Sequence, residues 1–254
     1  MCELLGMSAN VPTDICFSFT GLMQRGGRTG PHAHGWGIAF YEGRGCRTFH
    51  DAQPSATSRV AQLVRNYPIK SCIVISHIRQ ATHGRVCLEN THPFTRELWG
   101  RTWTFAHNGK LKGVKRRALE HYRPVGTTDS EHAFCWMLDR VREAYPRPPR
   151  RQGPLIRLIR ALSDDIAELG VFNMLLSDSR LLHARCATKL SWITRRAPFG
   201  EASLIDDEMS VDFAQETTPK DVVTVIATRP LTDDERWTVL APGEHVAFDA
   251  GEPR

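Results

Sequence analysis

The chain begins Met1-Cys2-Glu3-Leu4-Leu5-Gly6, and the cysteine directly behind the initiator methionine is its first candidate for chemistry. If Met1 is removed, Cys2 carries a thiol and a free α-amine within a few bonds of each other. An α-amine titrates at about 8 and a thiol at about 8.5, so the two groups can exchange a proton close to neutral pH. A cysteine at position 2 is, by itself, more often an ordinary apolar residue. The rest of the chain has to decide between these interpretations.

Length and composition favour a single domain over residues 1–254. A chain of 254 residues, 41% of them apolar, can bury a sizeable core. The net charge of +5 is spread along the chain. The basic runs Lys115-Arg116-Arg117 and Arg147-Pro148-Pro149-Arg150-Arg151 lack interleaved aromatic residues, so we expect solvated surface and no nucleic-acid partner.

Cysteine usage and hydropathy predict a soluble, cytoplasmic protein. The seven cysteines form no CxxC pair and no metal-ligand spacing, which favours reduced thiols. Glu3 follows the first residues at once, and no apolar run approaches the length that crosses a bilayer. We therefore expect neither a signal peptide nor a membrane partner.

Strand patterns occur in consecutive runs joined by tight turns, and long helices are few. Residues 35–41 and 46–49 predict a hairpin, and residues 72–78 predict a buried strand that delivers Arg79 to its end. Residues 103–106 predict a strand that ends on His107-Asn108-Gly109. Consecutive strands with grouped helices favour an α+β fold of antiparallel sheets with helices packed outside.

Three polar clusters follow apolar strands or open a helix, where rigid scaffolds place reactive groups. Asn108-Gly109 pairs a side-chain amide with a closely approachable N–H, as an oxyanion hole requires, although Asn-Gly alone is more often a hairpin turn. Arg79 suits a carboxylate, and Asp129, within the capping box Thr128-Asp129-Ser130-Glu131, suits an ammonium group. Together these groups could hold an α-amino acid at both charged ends and present its side-chain carbonyl to a thiol. Glutamine or a γ-glutamyl compound fits that description.

The order of these motifs resembles the class II glutamine amidotransferases. The motifs are Cys2, the run from Arg79 through Thr82 and His83 to Gly84, His107-Asn108-Gly109, and residues 128–131. The stand-alone members of the family are especially similar, because they also share Gly26-Gly27-Arg28-Thr29-Gly30-Pro31 and Gly35-Trp36-Gly37.

The resemblance implies an N-terminal-nucleophile hydrolase fold, a four-layer αββα sandwich of two antiparallel sheets between helical layers. It also implies roles. Cys2 would attack the γ-amide while its α-amine shuttles the proton, and Asn108 with the Gly109 N–H would hold the oxyanion. Arg79 would bind the substrate α-carboxylate, with Thr82 and His83 lining that end, and Asp129 would bind the α-ammonium.

Some features leave alternatives open. Gln80 stands where many family members have an aromatic residue. Five histidines, at 32, 34, 77, 92 and 107, invite a metal site, but they lack the compact spacing of a zinc motif, so we expect neither metal nor cofactor. The chain could donate ammonia to a separate synthase subunit or hydrolyse γ-glutamyl metabolites, as the amidohydrolase of ergothioneine synthesis does. A non-catalytic amino-acid-binding subunit is the rival. A retained Met1 would block the required amine.

Overall fold

The fold is a stack of four layers, seen in a computed structural model that describes residues 2–81, 84–213 and 218–254. Two antiparallel sheets lie face to face, and a pair of helices covers the outer face of each. The predicted α+β sandwich of two antiparallel sheets between helical layers is confirmed. Within the described residues, no helix is both long and apolar enough to cross a membrane.

The first sheet has seven strands, with β1 in the central position and its neighbours β4 and β12 on either side. Its order is β13-β9-β12-β1-β4-β2-β3. The strands are β1 (Glu3–Asp14), β2 (Trp36–Glu42), β3 (Gly45–Asp51), β4 (Lys70–Ile78), β9 (Ser191–Arg196), β12 (Val222–Ala227) and β13 (Thr238–Val239).

The second sheet has six strands in the order β15-β14-β8-β7-β6-β5. These are β5 (Phe94–Leu98), β6 (Arg101–Leu111), β7 (Gly170–Ser177), β8 (Leu181–Arg185), β14 (His245–Asp249) and β15 (Glu252–Pro253). A separate hairpin consists of β10 (Glu201–Ser203) and β11 (Ser210–Asp212).

Four α-helices occur in the described residues, two against each sheet. They are α1 (Cys16–Gln24), α2 (Arg59–Asn66), α3 (Asp129–Ala144) and α4 (Gln152–Ala167). Helices α1 and α2 share a core with the outer face of the first sheet, and α3 and α4 share one with the second. The third core lies between the sheets and includes Leu4, Ile75, Ala106, Leu175 and Phe248.

Side-chain alternation along β1 and β6 turns two candidate residues toward the space between the sheets. Leu4 on β1 belongs to the core between the sheets, whereas Leu5 belongs to the outer core. Because side chains on a strand point to alternate faces, Cys2 lies on the same side as Leu4. On β6, the same rule places Asn108 with Ala106 between the sheets. The two strands thereby bring Cys2 and Asn108 together.

Two strand assignments from the sequence were incomplete. No strand was predicted for residues 3–14, yet they form the twelve-residue central strand. His107-Asn108-Gly109 was expected at the end of a strand, and this was wrong because β6 continues to Leu111. The polar and glycine residues weaken the strand pattern, but pairing with β7 extends the ladder from Asn108↔Asn173 to Leu111↔Gly170. The strand that delivers Arg79 and the helix start at the capping box 128–131 were confirmed within a few residues.

Candidate active site

Cys2 and Asn108 hold each other through two hydrogen bonds. The Cys2 nitrogen donates to Asn108 Oδ1 at 2.9 Å, and Asn108 Nδ2 donates to the Cys2 carbonyl oxygen at 2.5 Å. That nitrogen is the amide joining Cys2 to Met1, so it stands in for the α-amine of a chain from which Met1 has been removed. Asn108 is 1% exposed, so these bonds are shielded from competing water. The contact joins residues 106 positions apart in the chain.

The Cys2 thiol lies against the backbone that follows β4. The Gln80 N–H donates to Cys2 Sγ at 3.3 Å, and Sγ lies 3.6 Å from the Gln80 carbonyl oxygen. Burial raises the pKa of the Cys2 thiol, although the Gln80 N–H and the Arg79 guanidinium act in the opposite direction. Attack on a carbonyl carbon therefore requires a base that takes the thiol proton. Gln80 makes these contacts through its main chain, which does not depend on its side chain.

Gly109 occupies a position where no side chain fits. A Cβ atom there would lie 1.8 Å from the Val171 carbonyl oxygen on β7 and 2.8 Å from His107 Nε2. The close approach of β7 thus requires glycine at this position. Gly109 directly follows Asn108 in the chain, so its N–H and the Asn108 side-chain amide could supply the two donors of an oxyanion hole.

His107 joins the Asn108-Gly109 segment to the start of α3. Its Nδ1 lies 2.8 Å from Ser130 Oγ, and its Nε2 lies 3.0 Å from the Val171 carbonyl oxygen. A carbonyl can only accept, so Nε2 carries the proton and Nδ1 accepts from the Ser130 hydroxyl. Burial lowers the pKa of His107, in agreement with a neutral ring. The ring fixes β6 relative to the helix that carries Asp129.

Asp129 is the first residue of α3, where the Thr128 hydroxyl caps the helix by accepting the Glu131 N–H at 3.1 Å. Asp129 Oδ2 accepts the Leu111 N–H at 2.8 Å, and Oδ1 accepts the Ser130 N–H at 3.0 Å. Each carboxylate oxygen has a second lone pair, so the group can still accept from an ammonium ligand.

Arg79 directly follows β4 and is 4% exposed. Its Nη1 donates to the Arg85 carbonyl oxygen at 3.0 Å. This is the one hydrogen bond of the guanidinium to the described residues, and the group has five N–H donors. A Cβ atom at Gly84 would lie 3.8 Å from Nη2, so the guanidinium borders that glycine. Burial lowers the pKa of Arg79, while the nearby thiols of Cys2 and Cys87 act in the opposite direction.

A cleft of about 440 Å³ joins several of these groups, and its size suits a small ligand. Its lining includes Gly84, Gly109, Leu111, Lys115, Thr128 and Asp129. The structure therefore places Gly109 and Asp129 in one cleft, with Arg79 beside its Gly84 wall and Asn108 in contact with Cys2. Thr82 and His83 lie outside the described residues.

Two residues near the site were missed by sequence reasoning. The Ala81 N–H donates to His34 Nδ1 at 3.0 Å, and the backbone N–H of His34 donates to the Arg79 carbonyl oxygen at 3.1 Å. Asn173 on β7 donates from Nδ2 to the Asn108 carbonyl oxygen at 2.9 Å. The signal for Asn173 was present, because it is the one polar residue within the apolar run 171–176.

The histidines at 77 and 92 lie together in the interior. His77 and His92 are buried with their ring centroids 4.2 Å apart, and burial lowers the pKa of His77 to about 3. Across residues 2–81, 84–213 and 218–254, no three His, Cys, Asp or Glu side chains lie grouped so that they could hold a metal ion.

Comparisons with known proteins identify the family. The family model described as "Glutamine amidotransferases class-II" matches residues 1–254. The chain is 63% identical over 252 residues to "Putative glutamine amidotransferase YafJ" of Escherichia coli, with 99% of each chain covered. It is 45% identical to "Putative glutamine amidotransferase" of Haemophilus influenzae, covering 99% of this chain and 85% of that protein.

Solved structures extend the comparison to the fold. The crystal structure of a "predicted glutamine amidotransferase" from Pseudomonas aeruginosa superposes with a TM-score of 0.79 at 54% identity, covering 99% of each chain. A glutamine phosphoribosylpyrophosphate amidotransferase from B. subtilis gives a TM-score of 0.63 at 14% identity, covering all of this chain and 48% of that one. The second likeness shows the fold alone, the N-terminal-nucleophile hydrolase sandwich expected from the sequence. With the family match along its length and the two close relatives, the chain belongs to the class II glutamine amidotransferases.

Proposed function

We propose that this chain is a cysteine-dependent amidohydrolase that cleaves the γ-amide of glutamine or of a γ-glutamyl compound. The observation that carries the proposal is the pair of hydrogen bonds between Cys2 and Asn108. These bonds hold Cys2 against the side-chain amide of Asn108. Once Met1 is removed, Cys2 presents both a thiol and an α-amine, and the Asn108 amide suits an oxyanion. A binding module needs no such arrangement, which counts against a non-catalytic amino-acid-binding role.

The first step uses the α-amine that removal of Met1 exposes. This amine takes the proton of the Cys2 thiol, and Sγ attacks the γ-carbonyl carbon of the substrate. The carbonyl π bond breaks and its electron pair moves to oxygen. Asn108 Nδ2 has two N–H groups, and only one is needed for the Cys2 carbonyl. The second N–H, with that of Gly109, stabilises the oxyanion.

The second step releases the nitrogen of the amide. The protonated α-amine of Cys2 gives its proton to the leaving nitrogen, the C–N bond breaks, and ammonia or an amine departs. A γ-glutamyl thioester on Cys2 remains. Water, deprotonated by the same amine, adds to the thioester carbonyl, and the C–S bond breaks to release glutamate and restore the thiol.

Two charged side chains would select the substrate. Arg79 would bind the α-carboxylate through guanidinium N–H groups other than the one that donates to Arg85, and Asp129 would bind the α-ammonium through its remaining lone pairs. Thr82 and His83 are proposed at the carboxylate end. No metal or other cofactor takes part in this scheme.

We also propose that residues 1–254 form one catalytic domain. Its ammonia could pass to a separate synthase subunit, or the chain could act alone on γ-glutamyl metabolites. Relatives of which this chain covers 99% support the single domain. The two roles differ in activity, since a subunit of a complex should be nearly idle alone.

A substrate panel tests the proposal. The chain is produced behind a cleavable tag whose removal leaves Cys2 as the first residue, and it is incubated with glutamine, glutathione and other γ-glutamyl amides. We expect release of glutamate from at least one substrate, with no release by Cys2→Ala or by a chain that keeps a residue before Cys2. Equal release by the blocked chain would contradict the mechanism.

A further inference from the structure

We propose that Asn173 is a positioning residue that holds the Asn108–Gly109 peptide with its N–H directed at the oxyanion. This inference rests on the proposed function and adds a residue to it. Asn173 lies on β7 directly opposite Asn108, and its side chain is fully buried.

The side-chain amide of Asn173 makes four hydrogen bonds. Its Nδ2 donates to the Asn108 carbonyl oxygen at 2.9 Å and to Thr188 Oγ1 at 3.0 Å. Its Oδ1 accepts the N–H of Ala187 at 2.8 Å and that of Thr188 at 3.0 Å. An asparagine side chain offers two donors and two acceptor lone pairs, so each one is used. The side chain therefore has a single fixed orientation.

Fixing the Asn108 carbonyl fixes the Gly109 N–H as well. The two groups belong to one peptide unit, and in a planar trans peptide they point in opposite directions. With the carbonyl oxygen held toward β7 by Asn173, the N–H points away from β7. A hydrogen bond to the carbonyl oxygen also polarises the peptide and strengthens its N–H as a donor.

Asn173 is a polar residue among apolar ones. Its neighbours on β7, Phe172 and Met174, are fully buried apolar residues. Asn173 also anchors the turn at residues 187–188, so it has a structural role whichever inference holds. The two roles predict different kinetics. A turn anchor affects folding, whereas an oxyanion-positioning group affects the transition state more than the bound substrate.

The test compares three variants in the chain that begins at Cys2. Asn173→Asp keeps an oxygen for the Ala187 and Thr188 N–H groups and, when ionised, has no donor for the Asn108 carbonyl. Asn173→Ala removes the same donor, together with the acceptor oxygen, without introducing a charge, in case the aspartate variant does not fold. Thr188→Val is the matched control, because it removes the turn-side partner of Nδ2 and leaves the bond to Asn108.

Steady-state kinetics and one inhibitor give the readout. The inhibitor is the aldehyde analogue of glutamine: the thiol of Cys2 adds to its carbonyl carbon, and the new oxygen occupies the oxyanion position. For both Asn173 variants we expect kcat to fall about 10- to 100-fold, as for a slightly misplaced catalytic group, with KM nearly unchanged. The inhibition constant of the aldehyde should rise by a similar factor, and Thr188→Val should keep kcat near wild type.

Two results would overturn the inference and leave the proposed function standing. One is wild-type kcat in a folded Asn173 variant, and the other is an equal loss in Thr188→Val, which would assign the effect to the turn. Absence of both hydrolysis and aldehyde binding in the wild-type chain would overturn the proposed function, and this inference with it.

Discussion

Replacing Asn108 with alanine removes the side chain that links the nucleophile to the oxyanion site. The change deletes one bond accepted from the Cys2 nitrogen and one donated to the Cys2 carbonyl. It also removes the N–H proposed for the oxyanion. Loss of one oxyanion donor raises the barrier by about 2.7–4 kcal/mol, so kcat should fall about 100- to 1,000-fold.

The same change should destabilise the fold only moderately. Two hydrogen bonds are lost, each with a net contribution of about 0.5–1.5 kcal/mol, so the free energy of unfolding should fall by about 1–3 kcal/mol. KM should change less than kcat, because Arg79 and Asp129 keep the contacts proposed for the charged ends of the substrate. Asn108→Ala should thus change the activation free energy of hydrolysis and the free energy of unfolding by different amounts.

Asn10→Ala is the matched control. Asn10 lies on β1, the strand that follows Cys2, and its side chain bonds the backbone at Lys220 and Val222. Glutamate release is measured for both variants with the best substrate from the panel, and thermal unfolding is measured in parallel. A kcat for Asn108→Ala within a few-fold of the Asn10→Ala value would refute the oxyanion assignment. So would a loss that appears entirely in KM.

Three further predictions concern binding and pH. Arg79→Ala should weaken binding of substrates with a free α-carboxylate, and equal affinity of the wild-type chain for glutamine and its carboxyl-amidated analogue would contradict that role. Asp129→Asn should raise KM for glutamine and leave an N-acetylated analogue, which has no ammonium group, almost unaffected; a parallel change for both compounds would exclude the ammonium contact. Burial lowers the pKa of His183 to about 4 and, together with the neighbouring His183, that of His245 to about 3, compared with 6.5 in an unfolded chain. As the pH falls below 6.5, these histidines bind protons in the unfolded chain before they do so in the folded chain. Their full contribution to the free energy of unfolding is therefore present above pH 6.5. It should be lost between pH 6.5 and 4, by up to about 1.4 kcal/mol per pH unit for each histidine. An unfolding midpoint that is the same at pH 7 and pH 5 would contradict this.

The fold could be predicted from local signals wherever those signals were strong. The Thr128 cap and the apolar face behind it define α3, and the run 72–78 defines the strand before Arg79. Strand β1 was missed because Ser8, Asn10 and Pro12 weaken its pattern, and pairing with β4 and β12 supplies what local propensity does not. Strand pairing over long sequence separations cannot be read from one chain.

The residues of the candidate site could be predicted from the order of the motifs, but the contacts among them could not. The sequence indicated Cys2, Arg79, Asn108, Gly109 and Asp129 as a group. The structure places Gly109 and Asp129 in one cleft, Arg79 beside its Gly84 wall, and Asn108 in contact with Cys2. The roles of these residues remain predictions. Asn173 escaped notice because a single polar residue in an apolar strand is usually a local exception. Its meaning depends on the register Asn108↔Asn173, which only the folded sheet reveals.

Covalent labelling tests the central claim most directly. The purified chain is incubated with a diazo-ketone analogue of glutamine, digested, and mapped by mass spectrometry, which reports both the labelled residue and the presence of Met1. The proposed mechanism predicts one adduct on Cys2, found only in chains that lack Met1 and prevented by excess glutamine. An adduct on another cysteine, or labelling of Cys2 with Met1 still attached, would contradict it.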